Sequence, residues 1–253
     1  MKVLETVAVA FSMFSALPMP QFSWNRENMR YMLCAFPLVG VVIGLLSWGW
    51  SALAGALALP AVLRGAGLCL IPVLVTGGVH LDGFCDTWDA LASHAEPEKK
   101  RAILKDSHVG TFAVIHLLIL FLASFALWSA LPIYKALPVG LGFVLSRSLS
   151  ALAVASFPLA SDSGLAHSFA EAADRGRVRN VCLIAALAAA AGMCASGGGL
   201  MAVAAALVFL WYRFVLLRSF GGLSGDLAGW FLQEAELWML AALCAAEFLG
   251  GRL

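Results

Sequence analysis

Runs of about twenty apolar residues recur along the chain, and a run of that length fits a helix crossing the hydrocarbon core of a bilayer. Lipid offers backbone N–H and C=O groups no partner, so a segment inside it must close its own hydrogen bonds. The candidate spans fall at 31–53, 61–78, 111–131, 137–157, 178–196, 200–220 and 227–249. They predict an all-α fold, a polytopic transmembrane helical bundle of about seven spans. Residues 4–17 are apolar but too short to cross, and Pro18-Met19-Pro20 stops them, so a short N-terminal interfacial or re-entrant helix is expected there. Hydrophobic residues make up 62% of the 253 and charged ones 12%, against about 25% charged in a soluble domain. No polar connection is long enough for a core of its own, so residues 1–253 read as one integral membrane domain.

The formal charge of +1 gives no bias toward polyanions, and nucleic acid is not expected as a partner. Lys and Arg nevertheless fall unevenly. One set of connections holds Arg26, Arg30, Lys99, Lys100, Arg101, Lys105, Arg175, Arg177, Arg179 and Arg218; the other holds Lys135, with Arg64 just inside a span and Arg252 at the end. The positive-inside rule then turns the polar stretches 82–110, 162–179 and 221–226 to the cytoplasmic face of a bacterial inner membrane. Near the N-terminus, Glu5 and the lack of a small-residue cleavage site argue against a removed signal peptide. Cys34, Cys69, Cys182, Cys194 and Cys244 lie in apolar runs without metal-ligand or redox spacing and read as small buried hydrophobes. Trp48, Trp50, Trp128, Trp211, Trp230 and Trp238 sit mostly near span ends and are expected to anchor the interface.

Within this frame the chemistry gathers in one stretch, Thr76-Gly77-Gly78-Val79-His80-Leu81-Asp82-Gly83-Phe84-Cys85-Asp86-Thr87-Trp88-Asp89. On a helix the i, i+4, i+7 spacing puts Asp82, Asp86 and Asp89 on one face, about one turn apart. Like charges so placed repel, and a cation relieves them. Carboxylate oxygens are hard ligands, so Mg²⁺ or Mn²⁺ is expected rather than zinc or copper. Cys85 lies off that face. The plain alternative is a solvated helix end whose acids happen to line up. His80 is two residues before Asp82 and points away from the acids on a regular helix; it either donates to a ligand from behind or carries no chemistry.

Two more stretches supply parts of the same kind. Lys105-Asp106-Ser107-His108-Val109-Gly110-Thr111 sets a cation, an acid and two hydroxyls at the mouth of a span. Gly221-Gly222-Leu223-Ser224-Gly225-Asp226 is a glycine-rich turn ending in an acid, where backbone N–H groups can approach a phosphate, although such turns are also ordinary between helices. Charge inside a span is expensive and needs a partner. Arg147 is suited to clamp a phosphate bidentately, while Arg213, Glu234 and Glu236 read as functional groups or as ion pairs between helices. Metal-binding acids, cationic donors and flexible glycines on one membrane face are what binding a diphosphate requires.

At these residues the chain resembles the cobalamin synthase family, the adenosylcobinamide-GDP ribazoletransferases. The likeness runs from Leu17-Pro18-Met19-Pro20 and Phe36-Pro37-Leu38-Val39-Gly40 through Gly77-Gly78-Val79-His80-Leu81-Asp82-Gly83, Asp86-Thr87 and Asp89. It continues over Asp106-Ser107-His108-Val109-Gly110-Thr111 and Ser146-Arg147 to Gly221-Gly222-Leu223-Ser224-Gly225-Asp226. Ala90, Lys105, Ala16 and Ser224 stand where the family usually has Gly, Arg, Arg and Thr. The resemblance implies a Mg²⁺-dependent transfer in which a hydroxyl of α-ribazole, or of its 5′-phosphate, attacks the cobinamide-linked phosphate of adenosylcobinamide-GDP and GMP leaves. It implies Asp82 and Asp86 as metal ligands and Asp89 as third ligand or general base. Asp106 and Asp226 follow as further acids, with His80 behind them and Lys105 and Arg147 on phosphate. Gly221, Gly222, Ser224 and Gly225 would cradle the substrate. The lipid bilayer is the other expected partner, and a homo-oligomer is compatible with this reading. The rivals are a CDP-alcohol phosphotransferase-like lipid enzyme and a cation-coupled transporter; against the transporter, the acids gather at one surface instead of the midplane.

Overall fold

The computed structural model describes residues 2–132, 135–161 and 164–250; Asp162 and Arg252, both used in the orientation argument, lie outside the described residues. In chain order the helices are α1 Lys2–Phe14, α2 Arg26–Met29, α3 Met32–Ala56, α4 Ala61–Thr76, α5 Val79–Ala92 and α6 Pro97–Ile103. Then come α7 Thr111–Ala130, α8 Ala136–Ser156, α9 Leu165–Ala172, α10 Arg175–Ala195, α11 Gly199–Val215, a π-helical turn Leu216–Phe220 and α12 Gly225–Gly250. Among the described residues there is no strand, only an isolated bridge between Leu159 and Leu223. The expected helical bundle is what forms.

Helix α8 is its centre. It packs between α3 and α10 and also touches α12; 67% of its apolar window is buried, against 17% for α7, which faces outward. Small residues allow the α3–α8 approach. A Cβ at Gly40 would stand 2.4 Å from the Phe143 carbonyl oxygen, and one at Gly44 would stand 2.9 Å from Gly140 Cα. Two apolar helices in lipid gain chiefly from such close backbone packing, because lipid is as apolar as they are.

Among the described residues, five helical segments are long and apolar enough to cross a membrane: α3, α7, α8, α10 and α11 with its π turn. The two departures from the expected seven occur where polar residues enter. Helix α4, the expected span 61–78, has 16 residues and passes that test only together with α5, which is bent 96° from it and turns off its axis. Helix α12, at 26 residues, has the length, but its acids dilute its apolarity. Helix α1, as expected, is too short to span; Ala8, Val9, Ala10 and Phe11 are buried and it packs on α3.

The bend has a local cause. Gly77 and Gly78 both adopt left-handed φ, +65° and +79°, which any other residue would resist. Ala16 N–H donates to the Val75 carbonyl at 2.8 Å, so a carbonyl freed at the end of α4 finds a partner.

Charge placement agrees with the grouping of the polar ends read from sequence. Arg30 pairs with Asp174 at 3.1 Å, tying the start of α3 to the start of α10, and Arg101 donates to the Phe220 carbonyl at 2.8 Å. Lys135, assigned to the opposite side, pairs with Glu247 near the far end of α12 at 2.8 Å. The tryptophan expectation needs correction in part. Trp48 and Trp238 are exposed, but Trp128 and Trp230 are buried, Trp230 completely, among Trp88, Trp211 and Tyr212.

Gly40→Leu is expected to force α3 off α8 and cost about 1–3 kcal/mol, read as a lower Tm of the detergent-solubilised protein. Gly49→Leu, on the same helix with nothing within 4 Å of its Cβ position, should leave Tm nearly unchanged.

Candidate active site

The aspartates lie on α5 as the spacing required. Helix α5 docks on the start of α12, and Gly83 makes that contact possible, because a Cβ there would stand 2.5 Å from the Asp226 carbonyl oxygen. Asp226, 140 positions beyond Asp86 and on another helix, therefore joins the α5 acids. The Asp86 carboxyl is pushed up to about 6, first by burial and then by the charges of Asp82, Asp226 and Asp89. The Cys85 thiol is pushed up to about 11 by burial and then by Asp86, Asp82 and Asp89. Among the described residues no three His, Cys, Asp or Glu side chains stand close enough to enclose a metal ion by themselves.

A cavity of about 200 Å³ opens beside these acids, bounded by α1, α3, α5, α8, α9 and α12. Asp82 and Asp226 line it, as do Phe14, Phe36 and Phe169. So does His80, which is buried, lies 5.8 Å from the Phe36 ring and has no partner on Nε2. The helix-face argument turned His80 away from the acids, yet the ring shares a cavity with two of them. Burial first, and then the Arg147 charge, hold His80 well below its ordinary value, so the ring is neutral.

Asp89 has a structural task that its spacing concealed. One carboxylate oxygen accepts the Gly110 N–H at 2.6 Å and the other the Ala113 N–H at 2.8 Å, so Asp89 caps the N-terminus of α7 from a different helix. A Cβ at Gly110 would fall 2.5 Å from that carboxylate.

The glycine-rich turn is also built in. Leu223 N–H donates to the Pro158 carbonyl at 2.8 Å and Ala160 N–H to the Leu223 carbonyl at 2.9 Å. Gly221 has φ +76° and Gly222 presses on the Leu159 backbone. Ser224 Oγ accepts the Leu227 N–H at 3.3 Å, capping α12, while Gly225 opens on the cavity.

Lys105 and Asp106 sit apart on the exposed α6–α7 connection. Asp106 accepts from the His108 backbone N–H at 3.0 Å and lies 2.6 Å from its ring Nδ1; those hydrogen bonds hold its carboxyl below the usual range. The charges that bear on Asp86 do not include Asp106.

Arg147 departs most from expectation. It is completely buried and its guanidinium is paired with Glu236 of α12, with Ser146 Oγ at 3.0 Å and the Phe143 carbonyl at 3.2 Å. It grips a carboxylate of its own chain where sequence reasoning held it open for a phosphate. The two residues line a second cavity of about 60 Å³. Glu234 accepts from Trp88 Nε1 at 3.2 Å and Trp238 Nε1 at 3.1 Å, and exposed Arg213 lies over the Phe157 ring. Of the three groups read from sequence as possible partners in ion pairs between helices, Glu236 forms one, with Arg147. Sequence reasoning missed the Trp88–Glu234 link between α5 and α12 and the Arg101 bond to the turn. No spacing rule joins residues 146 or 119 positions apart.

A multi-pass helical membrane protein with an acid-rimmed cavity at the end of α5 is the class that this fold and site define. The chain belongs to the cobalamin-5-phosphate synthase family, whose model matches residues 6–244. It is 38% identical to an adenosylcobinamide-GDP ribazoletransferase of Lachnoclostridium phytofermentans over 98% of this chain and 96% of that one. It is 34% identical to a protein of the same name from Pseudomonas savastanoi pv. phaseolicola, covering 93% and 97% of the two chains. It is 31% identical to one from Clostridium botulinum, covering 96% and 98%. No solved structure matches the chain.

Glu236→Leu leaves Arg147 buried and unpaired and should cost about 3–5 kcal/mol in unfolding experiments, most of it recovered when Arg147→Met is added. Asp89→Ala, losing the α7 cap, should cost about 0.5–2 kcal/mol. Asp86→Asn relieves repulsion and should not lower Tm.

Proposed function

We propose that the chain is a Mg²⁺-dependent transferase of the inner membrane that joins adenosylcobinamide-GDP to α-ribazole, or to its 5′-phosphate, with release of GMP on the cytoplasmic side. Family membership supports the reaction class. The observation that carries the site is the cluster of Asp82, Asp86 and Asp226, whose charges press on one another beside a cavity. Mg²⁺ is ordinarily held by one or two carboxylates plus substrate phosphates and water, not by an all-protein cage. The donor set therefore fits that ion, although no three side chains enclose a metal alone.

Asp82 and Asp86 would hold the cation, which when bound would neutralise phosphate oxygens and the departing nucleotide. Asp226, on a second helix and lining the same cavity as Asp82, is suited to accept the proton of the attacking hydroxyl. Asp89 positions α7 against α5. Lys105, exposed on its loop, is the donor available to the diphosphate, with Asp106 and His108 ordering that loop. Arg147 acts through Glu236, fixing α8 against α12. The turn through Gly221, Gly222, Ser224 and Gly225 sets where Asp226 begins its helix.

The test is purified protein in vesicles with adenosylcobinamide-GDP, α-ribazole and Mg²⁺, followed by chromatography of released GMP. Chelation of Mg²⁺ should stop release. Asp82→Asn and Asp86→Asn should each slow it by at least about 100-fold, roughly 2.7 kcal/mol of transition-state stabilisation, while inserting normally. Near-normal turnover in either variant, or release of CMP from a CDP-lipid in place of GMP, would overturn the assignment.

A further inference from the structure

We propose that the cavity between α1, α3, α8 and α12 seats the base of the acceptor nucleoside, the bicyclic dimethylbenzimidazole of ribazole, with His80 Nε2–H donating to its free ring nitrogen. The inference rests on the transferase reading above and goes further, in giving one of the two substrates a place.

Size comes first. An apolar cavity of about 150 Å³ takes up benzene, so about 200 Å³ suits a fused bicycle. The wall is aromatic. Phe14 lies 4.2 Å from Phe36 and 6.0 Å from Phe169, centroid to centroid, and Phe36 meets the His80 ring at 5.8 Å. Flat rings bury well against such faces.

Polarity then separates the two bases in the reaction. Guanine carries donors and acceptors around its edge, and burying them unmatched is unfavourable. Dimethylbenzimidazole, once joined to ribose, keeps a single ring nitrogen as acceptor and presents methyl groups elsewhere. Away from the carboxylates, the polar side chains on the cavity wall are His80 and Ser150, and His80 supplies the ring N–H that a lone acceptor nitrogen can meet. His80 is 6% exposed, and its Nε2 is buried and unpartnered. Gly229 packs on the His80 backbone, where a Cβ would come within 3.1 Å, so α12 holds the backbone that carries the ring. The carboxylates of Asp82 and Asp226 line the same cavity. A base seated among the phenylalanines therefore hands its ribose hydroxyls to the acids.

Two variants and one analogue test this in vesicle-reconstituted protein. Ala228→Leu places a larger side chain in the cavity from a half-buried position. It should raise the KM for α-ribazole by at least about tenfold while moving the KM for adenosylcobinamide-GDP by less than about twofold. The α-riboside of dimethylindole lacks the acceptor nitrogen. Wild type should disfavour it by about tenfold or more, and His80→Ala should lose that discrimination. Equilibrium dialysis of α-ribazole, followed by its own fluorescence, reads binding without turnover and should fail in Ala228→Leu. Equal rises in both KM values, a rise for adenosylcobinamide-GDP alone, or no change in either would overturn the proposal. Wild-type protein that binds α-ribazole in dialysis yet releases no GMP would sink the transferase reading and leave the cavity assignment standing.

Discussion

The bend at Gly77-Gly78 is the constraint on which the site depends. A helix continued straight from α4 would carry Asp82, Asp86 and Asp89 onward along the bundle axis, away from the start of α12. Two successive left-handed residues turn the chain by 96°, and α5 then lies against α12 with Gly83 on the Asp226 backbone. Asp226 of α12 is thereby brought to the acids of α5. Their mutual repulsion is unfavourable to the fold without a cation, so the docking must be secured elsewhere. Trp88 bonded to Glu234 across the same interface, Asp89 capping α7 and Arg101 holding the π turn before Gly221 supply that hold.

Two buried charged groups of the bundle, Arg147 and Glu234, find their partners inside the protein. Arg147 takes Glu236; Glu234 takes two indole N–H groups. Such pairs are weak sources of net stability, since desolvation offsets the attraction, but breaking one is costly. They fix which faces of α8 and α12 meet. That orientation matters here because Ser150 and Ala151 of α8 and Gly229 and Leu232 of α12 wall the cavity beside Asp82.

Much of this was legible in the sequence. Hydropathy located the helices, Lys and Arg bias grouped the polar ends, and the period of Asp82, Asp86 and Asp89 put them on one helix. What stayed hidden were relations between helices, which local periodicity does not encode. Asp89 shares a face with Asp82, yet its oxygens go to α7. Arg147 and Glu236 lie 89 positions apart, and Trp230 sits near a span end in sequence but in the core in space. His80 shows the limit most sharply. Its direction on α5 was right for an isolated helix, and the cavity wraps around far enough to include it.

The geometry also bears on why an ion-coupled transporter is the poorer reading. Carriers keep their sites near the midplane, often between broken helices of paired repeats, so that either face can open to it. Here one break, at Gly77-Gly78, serves one acid cluster, and the groups beside it are anchored to segments at the same end of the bundle: the π turn, the α8–α9 connection and α6. The described intramembrane cation with a buried position in α8, Arg147, is bound to a carboxylate of the chain. A cavity that sets Asp82 and Asp226 beside Phe14, Phe36 and Phe169 fits the transferase proposed above better than a carrier.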